Sequence, residues 1–568
     1  MDKNLEGFPF NNALVGFVMV RTILYVYVVN AAFFGSVSCH AETYTNNKEI
    51  KATPTIEEII IRVHPVFDES NPKENNRLFR FVNRLHINTK KSVIMDDLTF
   101  KEGESLDGHL LDESERRLRS RRYFAAACVT EVNSDSAKLD SAKKVQVDVR
   151  EVWTLVPKVT YSSTGGSTHY GYGLYDSNFL GLGKTIKIER SSTVERTSDT
   201  LVYKDSNFAN QKQLSLAYSD NSDGVAREFH LSNPFRSIRT PWTVGIDMQD
   251  FSRDDTLFNA GEEAMRFGHD GKNYSVFYGQ RLDTSNDDRT HRWLSGLDNI
   301  SDTFYSVPDA RIDDFISFPI DRDYTVTWLE YSYLHNRFFE VTNLQQINRT
   351  EDINLGSQWR IRLGAVTATN ELLDNSVLVE IDYSKAYQLS PSQLLLSHLS
   401  STGFYGDTQT SQSISRFNLS YHWMNFSRGQ FFISANKALG RNLFMDTPLE
   451  LGGDTGLRGY PARFMAGDRS RLLTIEQRYF GGTEWFSLFH LGAAVFYDQG
   501  KAWGNANIPQ HYQGDVRDLG IGLRISGTRT GGRDEGVHNI AHIDLAYPLD
   551  GGAEIDKYQL SVQIKTSF

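Results

Sequence analysis

Proline, cysteine and long apolar runs are all scarce in this sequence. Fourteen prolines in 568 residues exclude a proline-rich or collagen-like chain and leave room for long strands. The two cysteines, Cys39 and Cys128, are too few for a disulfide framework or a cysteine-based metal site. Cys128, within YFAAACVTEV, reads as a small buried hydrophobe. Positive charge is not in excess: a formal net charge of −11 speaks against a phosphate-binding surface, so no nucleic-acid partner is expected. A His-Glu-x-x-His helix and a Gly-x-Ser-x-Gly elbow are missing. Gly181-Leu182-Gly183-Lys184-Thr185 fails as a phosphate loop, because Asn178 stands where the first glycine belongs. We therefore expect no enzyme, no cofactor and no metal.

Apolar runs long enough to cross a bilayer as helices are confined to the N-terminus. There ALVGFVMVRTILYVYVVNAAFFGSV, broken only by Arg21, precedes small residues and a polar stretch, as in an export signal. Residues 1–41 are read as that signal, with translation starting at Met19 as an option, since Met19-Val20-Arg21 supplies the short positive lead that MDKNLEGF lacks. A retained anchor helix is the alternative. Residues 42–55 read as a polar linker.

What the sequence has in quantity is aromatic residues, 12% of the chain, and short alternating segments. From Trp153 onward, strand-length pieces are separated by Gly, Asn, Asp and Ser. In KYQLSVQIKTSF the residues Tyr558, Leu560, Val562, Ile564 and Phe568 alternate with polar neighbours. SRFNLSYHW and HIDLAYP split in the same way, with His422, His542 and Asp544 on the polar faces. A soluble β-sandwich alternates too, but the export signal and the number of strands favour a membrane all-β fold. Strand-plus-connection units of roughly 26 residues predict an antiparallel transmembrane β-barrel of about 16 strands over residues 152–568. DSNF occurs at residues 176–179 and again at 205–208, marking two successive hairpins. QDFSRDDTLFNAGEE and RLDTSNDDRTH read as exterior loops.

Residues 56–151 have a different texture, that of a small α+β domain. After the apolar IEEIIIRVHPVF, FRFVNRLHI alternates as a strand, KKSVIMDDL and LLDESERRLRS read as helices, and AACVTEV and KVQVDVREV as strands. The predicted order is β-α-α-β-β.

The most informative segment is LGGDTGLRGYPARF, in which Leu457-Arg458-Gly459-Tyr460 sits among glycines. In the strand LLTIEQRYF, Glu476 and Arg478 face away from Leu473, Ile475 and Tyr479; in LFHLGAAVFYDQG, Asp498 faces away from Val495 and Tyr497. Two inward carboxylates beside an arginine-bearing loop suggest a charge-assisted clamp. These motifs resemble the BamA/TamA superfamily of outer-membrane assembly and translocation barrels, of the bacterial surface antigen type. The arginine-glycine-aromatic loop matches Leu457 to Tyr460, the E-x-R strand Glu476 and Arg478, and the D-x-G strand Asp498 and Gly500. The N-terminal domain resembles a single POTRA module where the best-known insertases carry several, and Leu457 replaces the commoner valine.

The resemblance implies a signal-bearing protein of the cell outer membrane with its POTRA domain in the periplasm. Its partners would be lipid, unfolded outer-membrane or secreted client proteins, and a periplasmic accessory protein at the POTRA domain. It implies assistance to protein insertion or protein transport, and that Arg458 reaches into the lumen to pair with Asp498 and Glu476. A two-partner-type secretion pore and a passive channel are the alternatives. For the seam between first and last strands we single out Pro157, Val159, Val562 and Phe568, because Pro157 can donate no hydrogen bond within a strand.

Overall fold

The computed structural model describes residues 54–565, except 71, 73–74, 133–141, 283–287, 309–317, 349, 370–372, 407–411, 486–488, 505–511, 513, 528–539 and 551–554. The signal segment 1–41, nearly all of the linker, Cys39 and Phe568 lie outside the described residues.

The small domain starts with β1, Thr55–His64, followed by helices α1, Arg77–Leu85, α2, Lys91–Asp97, and α3, Gly108–Ser120, and ends with β2, Phe124–Val132, and β3, Ala142–Glu151. β3 is central, parallel to β1 and antiparallel to β2. Ile56, Ile94, Phe100, Leu118, Val145, Val147 and Val149 close the core beneath the helices. The expected strand FRFVNRLHI is a correction: those residues are mostly helix α1, and the first strand is IEEIIIRVH upstream. Phe79, Phe81, Leu85 and Ile87 alternate, but Phe79 and Val82 also satisfy a three-residue spacing, and the Asn76 side chain decides the matter by accepting from the Phe79 amide at 2.9 Å. Among the described residues the domain therefore holds three helices rather than two.

Beyond it the chain closes an antiparallel barrel of 20 strands, not about 16. The first is β4, Leu155–Thr164, the second β5, Ser167–Asp176, and the last Gln559–Lys565. The undercount came from the connections, several of which are two-residue turns, so each strand takes about 21 residues of chain. Outward positions form an apolar belt that includes Leu174, Ile188, Leu201, Leu329, Leu363, Val495, Ile521 and Leu560, all exposed. Several inward positions, among them Glu476, Arg478, Asp498 and Asp544, hold buried charges.

The domain lies across one mouth of the barrel. Lys90 donates from its amide to Gly181 O at 2.9 Å, Gln211 Nε2 to Asp96 O at 3.2 Å, and Arg239 Nη2 to Asp107 Oδ2 at 2.7 Å. Both DSNF segments end at this mouth, in the turns after residues 176 and 207. Gly181, at φ 70°, comes so close that a Cβ would lie 2.3 Å from Asn88 O. The Arg236 guanidinium, in the third turn on this side, is pulled down to about 10 by burial and by Arg117 and Arg121. The acidic stretch RLDTSNDDRTH is a second correction: its described ends, Arg281, Leu282 and Asp288 onward, join strands at this same mouth, with Arg281 Nη1 donating to Ile238 O at 3.3 Å. QDFSRDDTLFNAGEE belongs instead to the far end, as the paired tips of Trp242–Asn259 and Glu262–Arg281.

Candidate functional site

Residues 442–468 leave the strand Gly429–Arg441 at the far end and return into Arg469–Trp485. Between those strands they fold inward. Leu457 and Tyr460 are fully buried, packed with Leu451, Phe464, Met465, Ala502 and Val516. That packing aims the loop's charged residue at the wall. Arg458 Nε donates to Asp498 Oδ2 at 2.7 Å, Nη2 to Asp498 Oδ1 at 3.0 Å, and Nη1 to Glu476 Oε1 at 2.7 Å. A two-pronged bond to one carboxylate with a third prong to another sets both position and orientation. The guanidinium also lies 3.4 Å from the centroid of the Phe496 ring. Gly459 lets the backbone approach the wall: its amide donates to Asp518 Oδ2 at 3.0 Å, and a Cβ there would fall 2.6 Å from Asp518 Cβ. Gly500 lies beneath Leu457 and Leu451.

Arg478 completes the cluster, with Nε on Glu476 Oε2 at 2.7 Å and its guanidinium 3.6 Å from the Phe432 ring centroid. Two members escaped the sequence reading. Arg524 Nη1 donates to Asp544 Oδ1 at 2.6 Å, and Asp544 Oδ2 stands 4.0 Å from Arg458 Nη1. Asp544 had been assigned to a polar face, and Arg524 alternates with Leu523 and Ile525; strand parity could have found the pair. Thr474 Oγ1, donating to Asp498 Oδ1 at 2.8 Å, was equally readable.

The loop also spans the closing seam on its inner side. Tyr460 OH donates to Arg517 O at 2.8 Å, on a strand near the end of the chain. Two residues further on, the Ala462 amide donates to Gly165 O at 3.0 Å, in the first hairpin, and Arg463 Nη2 reaches Glu195 Oε1 at 2.6 Å, in the second. Gly165, with φ 55°, leaves space for this contact, since a Cβ would lie 2.2 Å from Ala462 N. At its other end the loop is tied by Asp446, which accepts from Arg322 Nη1 at 2.8 Å.

Among the described residues the last strand and β4 match at one residue pair, Val562 with Ser163, supplemented by Gln563 Nε2 donating to Thr164 Oγ1 at 3.0 Å. Val159 pairs with Tyr172 on the opposite side of β4 rather than with Val562, so the two valines do not face each other. Pro157 pairs with Leu174 in β5. Thr164 and Ser167 flank a two-residue turn with positive φ at Gly165 and Gly166, and such a flanking pair exchanges both hydrogen bonds. Odd-numbered residues of β4 then direct their amides toward the seam, so the donor that Pro157 lacks is missing on that side.

A second inward fold was not anticipated. Phe338–Thr342 and Thr350–Asn354 form a hairpin at the domain end whose tip enters the lumen. Leu344 packs with Ala386 and Leu394, and Ile347 with Phe480, Ala494 and Ile540 across the barrel. Gln430 Nε2 donates to Leu344 O at 3.2 Å and Asn348 Nδ2 to Gly481 O at 2.8 Å. The small domain holds the hairpin's base: Arg119 Nη2 is 3.4 Å from Asp352 Oδ2, and Arg116 lies 4.9 Å over the Phe338 ring.

A closed 20-strand barrel carrying a small α+β domain and an inward arginine loop is thus the class to which the chain conforms. No protein-family model matches the sequence, and no curated protein matches it. Among solved structures the chain is similar to BamA from Haemophilus ducreyi lacking POTRA domains 1–3, at 12% identity over 97% of this chain and 94% of that one, with a TM-score of 0.42. It is similar to CdiB from Acinetobacter baumannii at 11% identity over the whole of both chains, TM-score 0.43, and to CdiB from Escherichia coli at 11% identity, again over the whole of both, TM-score 0.36. Likeness this distant decides nothing about what the chain does.

Proposed function

We propose that this protein is an outer-membrane barrel that assists the insertion of unfolded client proteins into that membrane, with its POTRA-like domain in the periplasm. The apolar outer belt supports a lipid surround, since exposed apolar area on this scale is a liability in water. Closure meets the requirement that backbone groups in lipid be paired. One observation carries the choice of activity: a seam matched at one residue pair among the described residues, stapled from inside by the Arg458 loop. A client strand adding to a parted seam would gain main-chain hydrogen bonds at no cost to the rest of the wall. The lumen favours the same route, because the Arg458 loop occupies its far end and the 338–354 hairpin its periplasmic end. β2, an edge strand of the domain's sheet, offers a site for a client or accessory strand.

The test is the folding rate of an unfolded eight-stranded barrel protein offered to proteoliposomes containing this chain, read as heat-resistant mobility on gels. Acceleration over empty liposomes is the expected result. Protease-protected client inside the vesicles would instead mean passage through the lumen, as in a secretion pore. No acceleration, together with steady ion conductance, would mean a passive channel.

A further inference from the structure

Helix α1 does not sit under the lumen with the rest of the domain. Phe79 and Val82 pack with Phe67 and Trp153 against Phe489, Leu491 and Ile525 of the barrel wall. Those wall residues share strand parity with exposed Val495, Ile521 and Leu523, so α1 is applied to the outer, lipid-side face of the barrel at its periplasmic rim. Only two strands separate this contact from the seam.

The opposite face of α1 is exposed among the described residues. Phe81 and Leu85, and Ile87 just after the helix, are 56%, 53% and 53% exposed. At 100° per residue, Arg77, Arg80 and Arg84 run alongside Phe81 and Leu85, and Lys90 and Lys91 follow; all five cations are exposed. The apolar residues continue the outer belt, for Ile87 Cγ2 is 3.4 Å from where a Cβ on Gly181 would stand, and Phe179 and Leu180 in that turn are exposed. Aromatic and aliphatic side chains flanked by cations are the chemistry of a helix lying in a bilayer interface with anionic headgroups.

We infer that α1, with Ile87, is a membrane-interface helix that docks on the anionic headgroups of the periplasmic leaflet beside the seam. This rests on the barrel spanning a membrane, and its consequence is that the domain is fixed in height and rotation against the bilayer next to the place where the wall parts.

The test places an environment-sensitive probe on the full-length protein through Phe81→Cys, with both native cysteines replaced by alanine, in bilayers with bromine-labelled acyl chains. Phe81→Cys should be quenched, about two-fold more strongly with phosphatidylglycerol present than in pure phosphatidylcholine, and the excess should vanish in the triple variant Arg77→Glu, Arg80→Glu, Arg84→Glu. A probe placed through Asp112→Cys, exposed on α3, should stay unquenched, and one through Val495→Cys on the outer wall should be quenched in every bilayer. No quenching at position 81 with position 495 quenched overturns the inference. Equal quenching in both lipids, unaffected by the triple variant, overturns the anionic part. No quenching at position 495 overturns the membrane-spanning reading itself, and the inference with it.

Discussion

The two sides of the barrel are built to different standards. In the long wall, Trp242–Asn259 and Glu262–Arg281 are matched over 18 residue pairs; at the seam β4 and the last strand share one among the described residues. Yet β4 is matched with β5 over ten pairs and the last strand with Ile540–Pro548 over seven, so neither seam strand is a poor strand. What is weak is their junction, and the compensation comes from a loop that bonds to both sides of it. The arrangement separates two requirements: a continuous ladder that shields the backbone from lipid, and a breach that can open without unravelling the ladder.

The largest effect should come from removing the difference. A disulfide between Ser163→Cys and Val562→Cys should abolish client insertion, reversibly on reduction, while one between Val276→Cys and Leu297→Cys, paired in the long wall, should leave it unchanged. Full activity of the oxidised seam variant would move the client's route into the lumen.

Next in size is Arg458→Ala. Leaving Asp498 buried without its cation, and Glu476 with Arg478 alone, should loosen the loop by about 3–5 kcal/mol, seen as rapid protease nicking within residues 452–464 in a barrel that keeps its heat-resistant mobility. Arg458→Lys should recover part of the loss, because charge is kept and the two-pronged geometry is not. A loop that stays protected in Arg458→Ala would show that its apolar packing suffices.

Restoring a donor on the seam side by Pro157→Val should tighten the junction by about 0.5–1.5 kcal/mol, slowing amide exchange in the last strand and slowing insertion. Unchanged exchange would mean that no acceptor stands opposite. The smallest effect is expected from Arg119→Ala. It frees the hairpin's base from a half-exposed ion pair worth about 0.2–1 kcal/mol, and should appear as brief openings in single-channel recordings with seam-dependent insertion intact. Lost insertion there would tie the domain to the seam through the lumen plug.

Much of the site was legible because strand parity is local. The neighbours of Glu476, Arg478 and Asp498 alone put them on the polar side, and Arg458 gains meaning from those two inward carboxylates and from the loop motif it sits in. Asp544 is legible as a polar-face residue and Arg524 shares that parity between Leu523 and Ile525, but that the two meet depends on the pairing of neighbouring strands. The seam residues were half legible: Val562 belongs to the junction, but its partner is Ser163, because register between strands some 400 residues apart is set by closure of the sheet. The hairpin at 338–354 was missed for a similar reason. FFEVT and TEDIN are strand-like as sequences, and nothing in them distinguishes a place in the wall from a fold into the lumen.

The sequence by itself determined the alternation that makes each strand amphipathic, the turns that reverse it, and the arginine, glutamate and aspartate that meet inside. These follow from the period of two along a strand and from what one residue imposes on its neighbours. Only the tertiary structure decided the strand number, the width of the seam, the direction of the plug and the placement of α1 against the outer wall. Each depends on how the sheet closes, which couples tilt, stagger and strand number across the whole barrel, and no local preference carries that information.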